Sequence, residues 1–211
     1  IHITPTQVQY LVETGIPMNS LRCLVVGAEK MTQSLAERCF KNTSPGCRLF
    51  NMYGPTEATI MAAVLEFTPT DLEGYTYLSS VPIGYPIANT GLLILDSAMG
   101  LCPVNVVGEL YISGDGLSAG YWRDQEKNAA SFVPNPYRSA GISGQKLYKT
   151  GDRARWLPGG SVEFLGRLDH QVKIRGYRIE LGEIEKQLLE HDRLETAVVT
   201  VQTLDGGGDE H

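Results

Sequence analysis

No pair of cysteines in this chain stands in a CxxC arrangement: Cys23, Cys39, Cys47 and Cys102 are scattered, and His2, His170, His191 and His211 cluster neither with them nor with one another. A zinc site is therefore not expected, and Cys23 and Cys39, on apolar faces, read as small reduced hydrophobes. Excess positive charge is lacking too. The net charge is -6 and the pI about 5.2, which speaks against a surface that neutralises a nucleic-acid backbone. Long apolar runs are missing: the longest, Ile60 to Leu65, is far short of a membrane span, and the polar start Ile1-His2-Ile3-Thr4 does not read as a signal peptide. Neither nucleic acid nor membrane is expected as a partner, and the reading is a soluble protein of the cytoplasm.

With 211 residues and 42% hydrophobic composition, the chain can bury one sizeable core or divide into two domains. Its opening is α/β in texture. Thr4-Pro5 followed by Val8, Leu11 and Val12 predicts a capped helix, Cys23–Val26 a buried strand, and Thr32 the cap of a second helix whose Leu35, Ala36, Cys39 and Phe40 share a face. A third stretch, Arg48 to Met52, predicts another strand. Such β-α-β alternation implies parallel strands, with ligands beyond their carboxyl ends. Two loops fall there: Gly27-Ala28-Glu29 and Tyr53–Glu57.

The second of these loops is the chemically loaded one. Gly54-Pro55 reverses the backbone and delivers an aromatic plate (Tyr53), a hydroxyl (Thr56) and a carboxylate (Glu57). That set suits a nucleotide with a hard cation, the ring stacking on a purine, the hydroxyl meeting a phosphate and the carboxylate holding Mg²⁺. It equally suits a β-turn whose tyrosine packs in a core.

After Phe67, glycine and proline punctuate short runs, so residues 68–167 predict a β-rich subdomain. A helix is expected near Asp124–Phe132, a polar surface loop over Asn135–Gln145, and strands at Leu147–Asp152, Arg155–Leu157 and Val162–Leu165. Gly114, Gly116 and Gly120 resemble a phosphate cradle only superficially, because no helix start follows; tight turns explain them. A composition shift at Leu168-Asp169 marks a candidate boundary. Beyond it, Val172–Gly176 predicts a strand, Leu181–Ile184 the start of an amphipathic helix, and Ala197–Val201 a further strand.

The motifs NMYGPTEATI (51 to 60), GELYISGDGLSAGYW (108 to 122), YKTGD (148 to 152) and GRLDHQVKIRGYRIELGEIE (166 to 185) resemble, in order and spacing, those of adenylation domains of nonribosomal peptide synthetases, within the wider acyl/aryl-CoA ligase and luciferase superfamily. The likeness covers almost the whole chain. It implies an α/β plus β fold: residues 1–67 as part of an α/β subdomain with nucleotide and substrate loops, 68–167 as a β-barrel-like subdomain, and 168–211 as a hinge and an incomplete C-terminal α+β subdomain.

The resemblance further implies activation of a carboxylic acid with ATP and Mg²⁺, followed by transfer to the phosphopantetheine thiol of a peptidyl carrier protein domain. Tyr53 would flank adenine, Asn51 would reach its exocyclic amine, and Gly27, Ala28 and Glu29 would line its other face. Thr56 would bind the α-phosphate and Glu57 the magnesium. Asp152 would accept the ribose hydroxyls, Phe164 would pad the nucleotide, Arg167 and Lys173 would supply positive charge, and Asp169 would be the hinge. An ordinary turn remains the alternative for Asp152, and a solvated strand face for Lys173. Val25, Gly27, Met52, Ile60 and Met61 would line the acyl pocket, the last two on the strand after Glu57. All are uncharged, which implies an apolar amino or related acid.

The family's phosphate loop, the aspartate that grips the substrate amino group and the near-terminal lysine have no counterpart in residues 1–211. The expectation is a piece that needs the remainder of the adenylation domain, is inactive alone and exposes an apolar face. Two other readings stand beside it: an interaction module from an interrupted adenylation domain, and part of an acyl/aryl-CoA ligase.

Overall fold

Thr4 and Thr32 each place a side-chain oxygen on the backbone N–H three residues ahead, so helices begin where the hydroxyls allow. The computed structural model describes residues 1–169, 171–174, 177–191 and 193–201, with 172–174 and 177–178 described by backbone alone. The chain forms two compact units, Ile1–Leu168 and Asp169–His211.

The first unit opens with β1 (His2–Ile3), α1 (Pro5–Glu13), β2 (Cys23–Gly27), α2 (Gln33–Asn42) and β3 (Arg48–Tyr53). The three strands are parallel, joined by crossover helices, and β4 (Ala63–Phe67) then returns antiparallel to β3. A short α3 (Pro69–Glu73) leads towards β5 (Tyr85–Pro86), which completes the five-stranded order β1-β2-β3-β4-β5. Val8 from α1 and Leu35, Ala36 and Cys39 from α2 bury against Leu24, Val26, Leu49, Leu65 and Phe67 of this sheet. The residues between them on β2, β3 and β4 point the other way, where Val25, Phe50 and Val64 are only half-buried. On that face the Arg48 guanidinium lies 4.9 Å from the Phe50 ring centroid and pairs with Glu66 at 2.6 Å.

β6 (Thr90–Leu95), β7 (Gly108–Gly114), β8 (Phe132–Pro134), β9 (Lys146–Trp156) and β10 (Val162–Arg167) build an antiparallel sheet in the order β10-β9-β7-β6, with β8 also pairing β9 and α4 (Gln125–Ser131) preceding β8. The fold class is therefore α/β plus β, as the motifs imply. Tyr53, Ala58, Ala62 and Ala63, from the end of β3 to the start of β4, share a core with Ile94, Ile112, Tyr148 and Val162 of the second sheet. The loaded turn is thus set against the antiparallel sheet.

In the second unit, β11 (Val172–Ile174) pairs antiparallel with β12 (Tyr177–Ile179), and α5 (Leu181–Leu189) follows. The buried Gln171 donates its backbone N–H to Asp169 Oδ1 at 3.1 Å and its amide to Glu180.

Several expectations are corrected. Ile60 and Met61 do not lie on a strand: Thr56–Ala58 form a 3-10 turn, Thr59 and Ile60 take left-handed φ values of +56° and +73°, and β4 starts only at Ala63. The tight return from β3 requires this, because Ala62 N–H must reach Tyr53 O at 2.8 Å. The stretches Leu147–Asp152 and Arg155–Leu157 belong largely to one strand, β9, whose irregular pairing with β7 between Glu109 and Tyr111 spans the left-handed Gly151. Residues 197–201 form no strand; Val199 N–H instead donates to Glu185 Oε1 at 2.9 Å. The 135–145 loop is anchored rather than merely an excursion, since the buried Asn135 amide donates to the carbonyls of Ile142, Ser143 and Gly144.

Candidate functional site

Asp152 is buried, and its position follows from strand alternation: Tyr148, Thr150, Asp152 and Ala154 are all buried while Lys149 and Arg153 are exposed. A buried carboxylate must be compensated. Arg167 does so from β10, directly opposite in register, with Nη1 at 3.0 Å from Asp152 Oδ1 and a second bond to Thr150 O at 2.8 Å. The other carboxylate oxygen accepts the Tyr53 hydroxyl. Burial, then the Asp152 charge and this hydrogen bond, push the Tyr53 phenol well above its usual range, so it remains a donor. The Phe164 ring stands 6.2 Å from that of Tyr53, tilted by 36°. Four predicted residues, Tyr53, Asp152, Phe164 and Arg167, are therefore brought together: two aromatic plates beside a compensated carboxylate.

Glu57 forms a second corner. It is buried, its backbone carbonyl accepts Ser118 N–H at 2.8 Å, and its Oε1 accepts the Tyr121 hydroxyl at 2.6 Å. Burial and then the Glu57 hydrogen bond raise the Tyr121 phenol, against smaller opposing effects of neighbouring hydroxyls. Thr56, just before Glu57, is exposed. Sequence reasoning assigns Tyr121 no role, because its partner lies 64 residues away; the 108–122 motif is the only local signal at this position.

At the end of β2, Gly27 lies under Met52: a Cβ there would meet Met52 O at 2.9 Å and Met52 Cε at 3.1 Å. Val25 is half-buried, while Ile60 and Met61 are exposed.

The remaining predicted residues have other partners or lie outside this cluster. The Asn51 amide donates to Val81 O at 3.0 Å and Pro82 O at 2.8 Å, which spends both its protons on the loop before β5. The Glu29 carboxylate accepts Thr6 N–H at 3.0 Å and Thr6 Oγ1–H at 2.6 Å, where it complements the first turn of α1. Ala28 is exposed with φ +73°. Lys173 is on β11, but its side chain lies outside the described residues. Among the described residues no group of three or more His, Cys, Asp or Glu gathers as a metal centre, and no helix is long and apolar enough to cross a membrane.

A parallel α/β layer whose strand-end loops meet an antiparallel sheet thus carries a tyrosine–carboxylate–arginine cluster. The chain belongs to the AMP-binding enzyme family, whose model matches residues 1–122. Among its relatives, tyrocidine synthase 3 of Brevibacillus parabrevis is 40% identical over 207 residues, covering 98% of this chain and 3% of that protein. Bacitracin synthase 1 of Bacillus licheniformis is 45% identical over 185 residues, covering 88% of this chain and 3% of that protein. The structure of holo-PA1221, an NRPS protein containing adenylation and PCP domains, superposes with a TM-score of 0.80 at 34% identity over 89% of this chain and 32% of that one. The chain thus spans a small part of the curated relatives it matches, which are peptide synthases by name.

Proposed function

We propose that this chain is part of an adenylation domain that joins an apolar amino acid to AMP and delivers it to the phosphopantetheine thiol of a carrier domain. In the first step a carboxylate oxygen of the acid bonds to the α-phosphorus of ATP as pyrophosphate leaves. In the second, the thiol sulfur bonds to the acyl carbon as AMP leaves.

The observation that carries the reading is the Tyr53–Asp152–Arg167–Phe164 cluster. Its residues fit an adenosine: the rings offer apolar faces, and a carboxylate with several acceptor lone pairs suits paired ribose hydroxyls. The buried Glu57 fits Mg²⁺, a hard cation that takes one or two protein carboxylates alongside phosphate oxygens. When bound, the ion neutralises phosphate charge. Thr56, exposed beside Glu57, would donate to an α-phosphate oxygen, and Lys173 would add positive charge. Asp169, at the start of the second unit, would serve as the hinge. That neighbours in structure pair adenylation with PCP domains supports the carrier partner.

Uncharged Val25, Gly27, Met52, Ile60 and Met61 support an apolar acid. A charged side chain would find no partner on these walls, whereas each buried methylene gains roughly 0.8 kcal/mol. The test is pyrophosphate exchange by the whole protein over a panel of amino acids, with Asp152→Ala and Glu57→Gln beside it. Aliphatic or aromatic acids should lead the panel. Asp152→Ala should weaken AMP binding measured without magnesium, and Glu57→Gln should leave that binding intact while lowering Mg²⁺-dependent exchange. A preference for aspartate, glutamate, lysine or arginine, or equal loss of AMP affinity in both variants, overturns the assignment.

A further inference from the structure

We propose that Tyr121 is the positioning residue for Glu57, and that the loop 114–121 fixes the carboxylate that receives magnesium. The proposal rests on the reading of Glu57 as the metal-binding carboxylate. A glutamate side chain has three rotatable bonds, and Glu57 sits in a single 3-10 turn without a side-chain cap. Left to itself, its carboxylate would sample several rotamers, and a cation would have to order it.

The 114–121 loop removes that freedom from both ends. Ser118 N–H holds the Glu57 carbonyl at 2.8 Å, and the Tyr121 hydroxyl holds Oε1 at 2.6 Å. A third bond, Thr59 Oγ1–H to Gly116 O at 2.7 Å, staples the same loop to the left-handed residue that closes the turn. The donor is itself immobilised. The Asn128 amide accepts Tyr121 N–H at 2.6 Å and donates to Tyr121 O at 2.9 Å, the Tyr121 ring meets Phe132 edge-on at 5.9 Å, and Lys127 Nζ lies 4.5 Å from its centroid. Gly120 is required for this approach, because a Cβ there would fall 2.4 Å from Asn128 Oδ1 at a φ of +127°. The arrangement is that of an outer partner orienting a metal ligand, whose loss commonly costs about 10- to 100-fold in metal affinity.

The experiment uses the whole protein with Tyr121→Phe, which keeps the ring and removes the hydroxyl, and Tyr111→Phe, which removes a hydroxyl bonded to Glu109 within β7. The Mg²⁺ concentration for half-maximal pyrophosphate exchange is measured, together with Mn²⁺ affinity in the presence of ATP by electron paramagnetic resonance. Tyr121→Phe should raise the Mg²⁺ requirement and weaken Mn²⁺ binding about tenfold, with AMP binding in the absence of metal unchanged; Tyr111→Phe should shift none of these. An unchanged metal dependence for Tyr121→Phe, or an equal shift in both variants, overturns the positioning role. Glu57→Gln separates the two levels: if it fails to alter Mn²⁺ affinity, the reading of Glu57 falls. If it does alter it and Tyr121→Phe does not, only the role of Tyr121 falls.

Discussion

At the scale of single residues, Asp152 shows how one buried charge organises its surroundings. Its two oxygens engage Arg167 and Tyr53, which come from different elements, so the carboxylate fixes both a cation and an aromatic ring. The likeness of YKTGD to the family motif singles out Asp152, but its bond to Tyr53 spans 99 residues and cannot be read from local pattern. Ser113 illustrates the reverse case. Among the described residues its buried hydroxyl has no hydrogen-bond partner, and it faces Gly91, where a Cβ would lie 2.4 Å from Ser113 Oγ. An unsatisfied buried polar group costs about 1–3 kcal/mol. Ser113→Ala should therefore stabilise the protein by about 1 kcal/mol and raise Tm by about 2–4 °C. A lowered Tm in calorimetry would show that the hydroxyl has a structural task.

Elements were legible in proportion to how local their causes are. Both helices of the α/β layer announce themselves through threonine caps and apolar spacing, and both are present. In sequence the turn after β3 reads as a strand, because Ile60–Leu65 is an unbroken apolar run. What decides the matter is non-local: β4 must pair antiparallel with β3, and the link folds so closely that Ile60 O occupies the space beside Gly54. The same reasoning explains residues 197–201, whose composition favours extension but which gain no strand neighbour among the described residues.

The Gly54 contact can be tested. A Cβ at Gly54 would stand 2.3 Å from Ile60 O and 2.8 Å from Ala62 N, both backbone atoms. Gly54→Ala must force the turn open, and a loss of about 2–4 kcal/mol is expected. At Gly159, in the hairpin between β9 and β10, nothing lies within 4 Å. Gly159→Ala should be silent, and chemical denaturation of the two variants side by side checks the contrast.

For the whole molecule, the relevant question is which residues close the cores. Among the described residues, the buried members of the three apolar clusters, and the partly buried hydrophobics packed on them, fall between Ile3 and Phe164. Both larger sheets are also completed before Leu168, the last residue of the first unit. Because burial of apolar surface is the dominant favourable term in folding, these described cores are expected to persist when residues 169–211 are removed. A chain ending at Leu168 should keep a cooperative thermal transition and dispersed amide resonances, with Tm within about 4 °C of the 211-residue chain, the shift that roughly 1 kcal/mol produces at this size. Loss of cooperativity on removing residues 169–211 would mean that the second unit contributes to the first one's core. Retention of the fold together with unchanged metal-free AMP binding would instead locate the adenosine cluster wholly within the first unit, where Tyr53, Asp152, Phe164 and Arg167 all lie.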